Sequence, residues 1–216
     1  MATRASERAL PRGPHRLSKD EVSRSQRERL LQAMTEAVAE KGYSNTVVAD
    51  VVARSGVSRA TFYQMFRDKD DCFRAAYETH AELVALVMNT GLEQLRQSTD
   101  TPIEQLDRIL GLYLASLAAS PALARVFLVE VYAAGPKLIE QRRASLEQFV
   151  DVVAATHEGE DGLLGTRKDQ RFAAEFIVGA VSSMVTNIVG VGDVEQLPSL
   201  HGRLMKLARA LIDPQS

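Results

Sequence analysis

The sequence predicts an all-α protein, and three observations carry that expectation. Apolar residues recur at i, i+3, i+4 and i+7 along most of the chain, and no β-rich run bounded by turn signals competes with them. The composition is rich in Ala, Leu, Glu, Gln and Arg, with no Trp and only 13 Gly and 7 Pro in 216 residues. At 45% hydrophobic and 25% charged it is ordinary globular material, which excludes disorder of the chain as a whole. The net charge of −2 points to no partner, but its distribution does: 13 basic and 10 acidic side chains precede residue 72, and 13 and 18 follow it. A basic amino-terminal module on an acidic body suits a chain of which one end meets phosphates.

Taken in order, residues 1–22 set Arg4, Arg8, Arg12, His15, Arg16 and Lys19 among Pro11, Gly13 and Pro14, and read as a flexible basic arm. Leu30, Ala33, Met34, Ala37 and Val38 form one stripe of a helix over about 24–41, closed by Gly42. A short segment, 47–54, places Val48, Val51 and Val52 on one face and stops at Ser55-Gly56. Ser58 then caps a second short helix, 59–66, in which Phe62 and Phe66 are spaced i, i+4. Two short helices joined by a few residues containing a glycine are a helix-turn-helix, here about 47–66 within a domain spanning 23–70. Asp68 can cap a longer fourth helix running through Phe73, Ala76, Tyr77, His80, Leu83 and Val87 to about Asn89.

Beyond it, Pro102 opens a helix with Ile103, Leu106, Ile109, Leu110, Tyr113, Leu114 and Leu117 on its apolar side. Pro121 opens the next, 122–134, and Gly135-Pro136 breaks the chain before a helix over 137–156. Residues 157–167 read as the longest loop. A helix over about 168–191 is apolar on nearly all sides from Phe172 to Val191, and so is expected to be buried on more than one face. The last, 197–212, repeats Leu197, Leu200, Leu204, Leu207 and Leu211.

Several function classes find no support. The single cysteine, Cys72, permits neither an internal disulfide nor a multi-cysteine zinc site, and a reducing cytoplasm is the expected home. The amino terminus has no apolar signal core, and no stretch reads as an uninterrupted membrane span, so no membrane partner is expected. His80, His157 and His201 are scattered, so no metal is expected and no cofactor is called for. No nucleophile elbow, zinc-protease motif or Gly-rich phosphate loop is present, and the chain reads as a non-enzyme.

The segment Ala39-Glu40-Lys41-Gly42-Tyr43, then Thr46, Asp50-Val51, Ser55-Gly56-Val57-Ser58-Arg59-Ala60-Thr61-Phe62-Tyr63, Phe66 and Lys69, resembles the DNA-binding segment of TetR-type (TetR/AcrR-like) transcriptional regulators. The resemblance covers about residues 24–80, and its G-V-S-x-x-T-[LF]-Y-x-x-F-x-x-K core is long and fixed in spacing. Physical chemistry agrees with it. Gly56 permits the positive φ a tight turn requires, Val57 plugs the angle between the helices, and Ser58 caps the second one. With Phe62 and Phe66 facing inward, Arg59, Ala60, Tyr63 and Gln64 face outward as base-reading candidates. Arg reads guanine, Gln pairs with adenine, and Ala touches a thymine methyl. The resemblance adds Thr61 and Tyr63 at phosphates or base edges and Lys69 on the DNA backbone at the start of the fourth helix.

Two departures matter: Val47 stands where the family has a second Ser or Thr, which leaves Thr46 as the expected cap and DNA contact, and Val52 replaces a small Ala. For the arm, a minor-groove contact by Arg12 and Arg16 and a merely solvated tail are both open. The plain alternative to a reader of DNA is a helical adaptor of the same fold without specific DNA binding.

The resemblance also implies that residues 71–216 are a helical effector-binding and dimerisation domain. The helices over about 172–191 and 197–212 would pair with those of a second copy, and two copies would meet a pseudo-palindromic operator in double-stranded DNA. A repressor released by an unknown small molecule is the implied function, through a pendulum-like shift of the fourth helix. Tyr113, Phe127, Tyr132, Phe149 and Met184 come from helices that line the family's pocket, although aromatic residues at helical spacing also serve simply as core. Glu130, the one charge in an apolar run, is open to three roles: a contact for a cationic ligand, a solvent-facing residue or an ion pair of its own. Cys72 stands where the family has an aliphatic residue and reads as a small core thiol rather than a redox sensor.

Overall fold

In the computed structural model, which describes residues 18–96, 99–155 and 167–212, all regular structure is helical. The first helix, α1 (Lys19–Lys41), begins five residues before the sequence suggests, and the reason is local. Ser18 is the cap of a reciprocal box: its Oγ accepts from Glu21 N at 3.2 Å, and Glu21 accepts from Ser18 N at 2.7 Å. The last residues assigned to the arm are therefore helical, and residues 1–17 lie outside the described residues.

Two helices follow closely, α2 (Val48–Ser55) and α3 (Arg59–Met65). The turn between them is set by Gly56, whose φ of +65° and ψ of +17° lie in the left-handed region. Ser55 Oγ accepts from Val57 N at 3.2 Å, and the Arg29 guanidinium of α1 donates to the Ser55 carbonyl at 3.2 Å, closing the end of α2. At its other end the free Val47 N–H donates to Asp50 Oδ2 at 3.0 Å, and Lys41 holds the other oxygen at 2.6 Å. Then comes α4 (Lys69–Arg96), capped as expected by Asp68, whose Oδ1 accepts from Asp71 N at 2.8 Å, and running seven residues past the expected end.

The chain divides at Thr79 and His80 into two compact units. The first has a continuous core: Leu30, Met34, Ala37 and Val38 of α1 are fully buried, as are Val51, Phe62, Phe73 and Tyr77.

The second unit holds the remaining helices, α5 (Pro102–Ala119), α6 (Pro121–Leu128), α7 (Pro136–Ala155), α8 (Arg167–Val191) and α9 (Leu197–Ile212). The single helix expected over 122–134 is broken. It ends at Leu128 and resumes as a 3-10 segment, Glu130–Ala134, whose tighter winding turns Glu130 and Val131 into the interior. The core of this unit gathers Leu110 and Leu114 of α5, Leu128 of α6, Val153 of α7, Val185 and Val189 of α8, and Leu197 and Leu200 of α9. His201 ties α9 to α5, its Nε2 lying 3.0 Å from both the Asp107 carbonyl and carboxylate; a methyl added at Gly111 would press on its ring at 3.4 Å.

Two expectations for α8 and α9 need correction. Helix α8 is buried on one face alone: Ala174, Val185 and Val189 are inside, whereas Phe172 is 69% exposed and Phe176 60%. Its apolar character is distributed round a helix that has core on only one side. By length and composition the helix Asp169–Val191, whose most apolar 18 residues have a mean hydropathy of 1.6, is long and apolar enough to cross a membrane, although Asp169, Arg171 and Glu175 interrupt it, as the sequence reading has it. On α9, Leu200 is buried and Leu204 packs on the core, so part of the leucine stripe is engaged within one chain; Leu207 stays exposed.

The left-handed turn yields the first prediction. Gly56→Ala meets no steric obstacle, the nearest atom to the new methyl being the Arg29 guanidinium at 3.8 Å. The backbone conformation alone should therefore lower stability by about 1–2 kcal/mol. Urea denaturation should give a lower midpoint with an unchanged slope.

Candidate nucleic-acid interface and effector cavity

Seven residues make less than two full turns, too few to stand alone, so α3 is held by its caps and by two rings. Ser58, extended at φ −67° and ψ 151°, accepts from Thr61 N at 3.0 Å, and Thr61 Oγ1 lies 2.9 Å from Ser58 Oγ. Phe62 is fully buried and Phe66 nearly so, with ring centroids 5.6 Å apart, and the Arg27 guanidinium of α1 covers Phe66 at 5.3 Å. The remaining faces are fixed by that anchorage. Arg59, Ala60, Tyr63 and Gln64 are all exposed. Arg59 lies over the Tyr63 ring at 5.7 Å, so the two long side chains form one exposed surface.

Thr46 and Lys69, both expected at DNA, are engaged within the chain. Thr46 is completely buried and donates its hydroxyl to the Gly42 carbonyl at 2.8 Å. It neither caps α2, whose free N–H is taken by Asp50, nor presents its side chain to solvent. Lys69 stands at the first position of α4, but its ammonium lies 4.0 Å over the Tyr43 ring and donates to the Tyr43 carbonyl at 2.9 Å. Tyr43 in turn donates its hydroxyl to Asp70, and its ring lies 4.8 Å from that of Phe73. Thr61, half-buried, has its hydroxyl in the cap.

In the second unit, α5, α7 and α8 line a half-open apolar cavity of about 50 Å³, room for roughly four water-sized spheres. Its walls include Leu106, Leu110 and Tyr113 of α5, Leu146, Phe149 and Val153 of α7, and Ile177, Val181 and Ser182 of α8. Of the six ligand candidates in the sequence, Tyr113 and Phe149 line it, with their rings edge to face at 5.4 Å. The other four do not. Phe127 packs on the core, Tyr132 is half exposed, and Met184 turns largely outward on α8. Glu130 is buried and ion-paired with Arg125 at 3.2 Å, which leaves no free carboxylate for a cationic ligand.

Sequence reasoning missed Ser182 and, beside it, Arg142. Arg142 is 3% exposed and donates to Ser182 Oγ at 2.9 Å. The signal was present, because Arg142 falls on the stripe of Leu146, Phe149 and Val153, a charge where the α7 periodicity calls for an apolar residue. Burial pushes the Tyr113 phenol up, so it stays protonated, and the Arg142 charge works against that shift. Among the described residues no group of His, Cys, Asp and Glu is arranged to hold a metal ion.

Cys72, fully buried at the start of α4, has its thiol pushed up to about 12 by burial, with Arg27 opposing. A thiol that ionises less readily folded than unfolded contributes stability that is complete below its ordinary value near 9 and is lost as pH rises towards 12. Stability should therefore fall over that window, and Cys72→Ala should flatten the fall. At pH 8 the folded protein should react with a thiol reagent far more slowly than the urea-unfolded chain.

The comparisons with known proteins agree with this geometry. Residues 30–76 match the family model of bacterial regulatory proteins, tetR family. The fatty acid metabolism regulator protein of Bacillus subtilis is 22% identical over 180 residues, covering 82% of this chain and 91% of its own. The crystal structure of transcriptional regulator FadR from Bacillus subtilis in complex with stearoyl-CoA superposes with a TM-score of 0.72 at 21% identity, covering 88% of this chain and 99% of that one. FadR from Bacillus halodurans gives 0.70 at 21% identity, with the same coverage. Over residues 30–76 the chain carries the amino-terminal domain of the tetR family, and its helices follow the all-helical fold of these regulators.

Proposed function

We propose that this protein is a homodimeric, sequence-specific DNA-binding repressor that acts in the cytoplasm and leaves its operator when a small apolar molecule fills the cavity of its second unit. The observation that carries the DNA reading is the α3 surface: Arg59, Ala60, Tyr63 and Gln64 exposed together on a helix whose opposite side is pinned by Phe62. Arg59 would read guanine and Gln64 adenine, with Ala60 against a thymine methyl. Tyr63, the Ser58 and Thr61 hydroxyls and the remaining donors of Lys69 would position the backbone. Thr46, being buried, has no part in this set.

One α3 makes too few contacts for operator affinity, and a two-fold dimer places two of them about one helical turn apart on a pseudo-palindrome. The open face of α8, with Phe172, Phe176, Ala180, Ser183 and Met184, together with Leu207 of α9, supports pairing of 172–191 and 197–212 with a second copy. Small residues between aromatic ones allow close helix approach. That face also accounts for an apolar helix in a regulator without a membrane.

The release step would run through α4, which begins in the first unit and continues into the second. A ligand that prefers one placement of α4 over the other by about 1–3 kcal/mol changes operator occupancy 5–150-fold. The stearoyl-CoA of the FadR structure supports an acyl-type apolar effector, although the cavity here, about 50 Å³, admits a long acyl chain only if α5, α7 and α8 part.

Fluorescence anisotropy with the DNA upstream of the protein's own gene, at two salt concentrations and with scrambled competitor, tests the DNA reading. Arg59→Ala should lose about 1–3 kcal/mol of specific binding and relax one base position, whereas Lys69→Ala should weaken all sequences alike and reduce the salt slope by about 1. Unchanged specific affinity in Arg59→Ala and Tyr63→Ala, or no specific site in a genome-wide selection, would make the adaptor the better reading. Sedimentation velocity should find a dimer for the native chain and a monomer for Phe172→Glu/Phe176→Glu.

A further inference from the structure

We infer that Arg142 is an anion anchor, and that the cavity beside it takes a small amphipathic monocarboxylate, its carboxylate on the guanidinium and Ser182 and its apolar body between α5, α7 and α8. This deepens the effector reading above and rests on it.

The argument begins with an unmet charge. Arg142 is 3% exposed, and its guanidinium is a donor-only group with no acceptor of its own. It has five N–H donors, yet among the described residues its hydrogen bonding is to Ser182 Oγ alone, and its buried Nε meets no acceptor. Among the described residues no carboxylate is ion-paired with it. Other guanidiniums of this unit do find carboxylates: Arg125 is paired with buried Glu130, and exposed Arg171 meets Glu147, Asp151 and Glu175. An unpaired charge taken out of water is among the least favourable arrangements a core can hold, and it persists where it has a use.

Its place states the use. On α7, Arg142, Leu146, Phe149 and Val153 share one face, and the last three line the cavity; Ser182, held by Arg142, lines it from α8. The guanidinium is thus not a wall of the cavity but lies behind Ser182, one hydrogen bond from it, and close enough to the lining Tyr113 for its charge to act on the phenol. A planar guanidinium fork fits a carboxylate with two parallel hydrogen bonds. A phosphate ester would bring up to two charges against one cation, and a neutral ligand would leave the guanidinium as it stands. The cavity volume limits the apolar body to a short chain.

Isothermal titration of the full chain at pH 7.5 with hexanoate, 1-hexanol and hexanoyl-CoA tests this. Hexanoate should bind about tenfold or more tightly than hexanol. In Arg142→Met hexanoate should fall to the level of hexanol, hexanol should be unchanged, and the melting temperature should not drop, because an unpaired buried charge has been removed. Equal binding of hexanoate and hexanol to the native chain overturns the anchor and leaves the apolar effector cavity standing. Binding of hexanoyl-CoA without hexanoate overturns it too, in favour of a neutral thioester. A lower melting temperature with unchanged hexanoate affinity makes Arg142 a structural residue, and binding of none of the probes overturns anchor and cavity together. Should Arg142→Met fail to fold, the native preference between hexanoate and hexanol decides.

Discussion

Burial of Phe62 is the constraint on which the amino-terminal unit depends. A seven-residue helix has no stability of its own, since nucleation is unfavourable and too few hydrogen bonds follow it. What makes α3 a fixed object is one ring, fully buried and held by Phe66, while Gly56 and Ser58 set the direction in which the helix leaves the turn. Once Phe62 points inward, helical periodicity leaves no freedom for Arg59, Tyr63 and Gln64, which must point out. The exposed chemistry of the unit is thus a consequence of its core.

The second unit solves a different problem. Five helices rich in apolar residues have more hydrophobic surface than one small core can take in, and the surplus stays visible in two forms. Part remains outside, as the Phe172 and Phe176 face of α8. Part lines the cavity between α5, α7 and α8, where packing is incomplete. Close-packed interiors leave few voids larger than a water molecule, so an apolar space of this size beside a buried cation is a feature to be explained by what enters it. Two polar groups elsewhere in the unit have charged partners: Glu130 has Arg125, and His201 has Asp107.

Much of the fold was legible in the residues because its signals are local. Pro102 and Pro121 begin α5 and α6, Ser58 and Asp68 cap α3 and α4, and Gly56 turns the chain between α2 and α3. The failures share a cause. Ser18 and Glu21 form a cap inside what reads as a charged arm, and the break after Leu128 goes with the burial of Glu130 and Val131, which no local propensity announces. Thr46 next to a helix start reads as a cap, yet its hydroxyl finds the Gly42 carbonyl behind it.

By itself the sequence determined the all-helical class, the helix-turn-helix with its outward residues, and the excess of apolar surface in the last two helices, because each of these follows from spacing within one element. Only the tertiary structure decided which aromatic residues meet a cavity, since Tyr113, Phe127, Phe149 and Tyr132 carry the same signal until helices are brought together, and then only Tyr113 and Phe149 face the space. It alone separated the two charges of the apolar runs as well. Glu130 found a cation within reach and became part of the core, whereas Arg142 meets only Ser182 among the described residues. Whether a buried charge is paired is a property of neighbours distant in sequence, and spacing within an element cannot contain it.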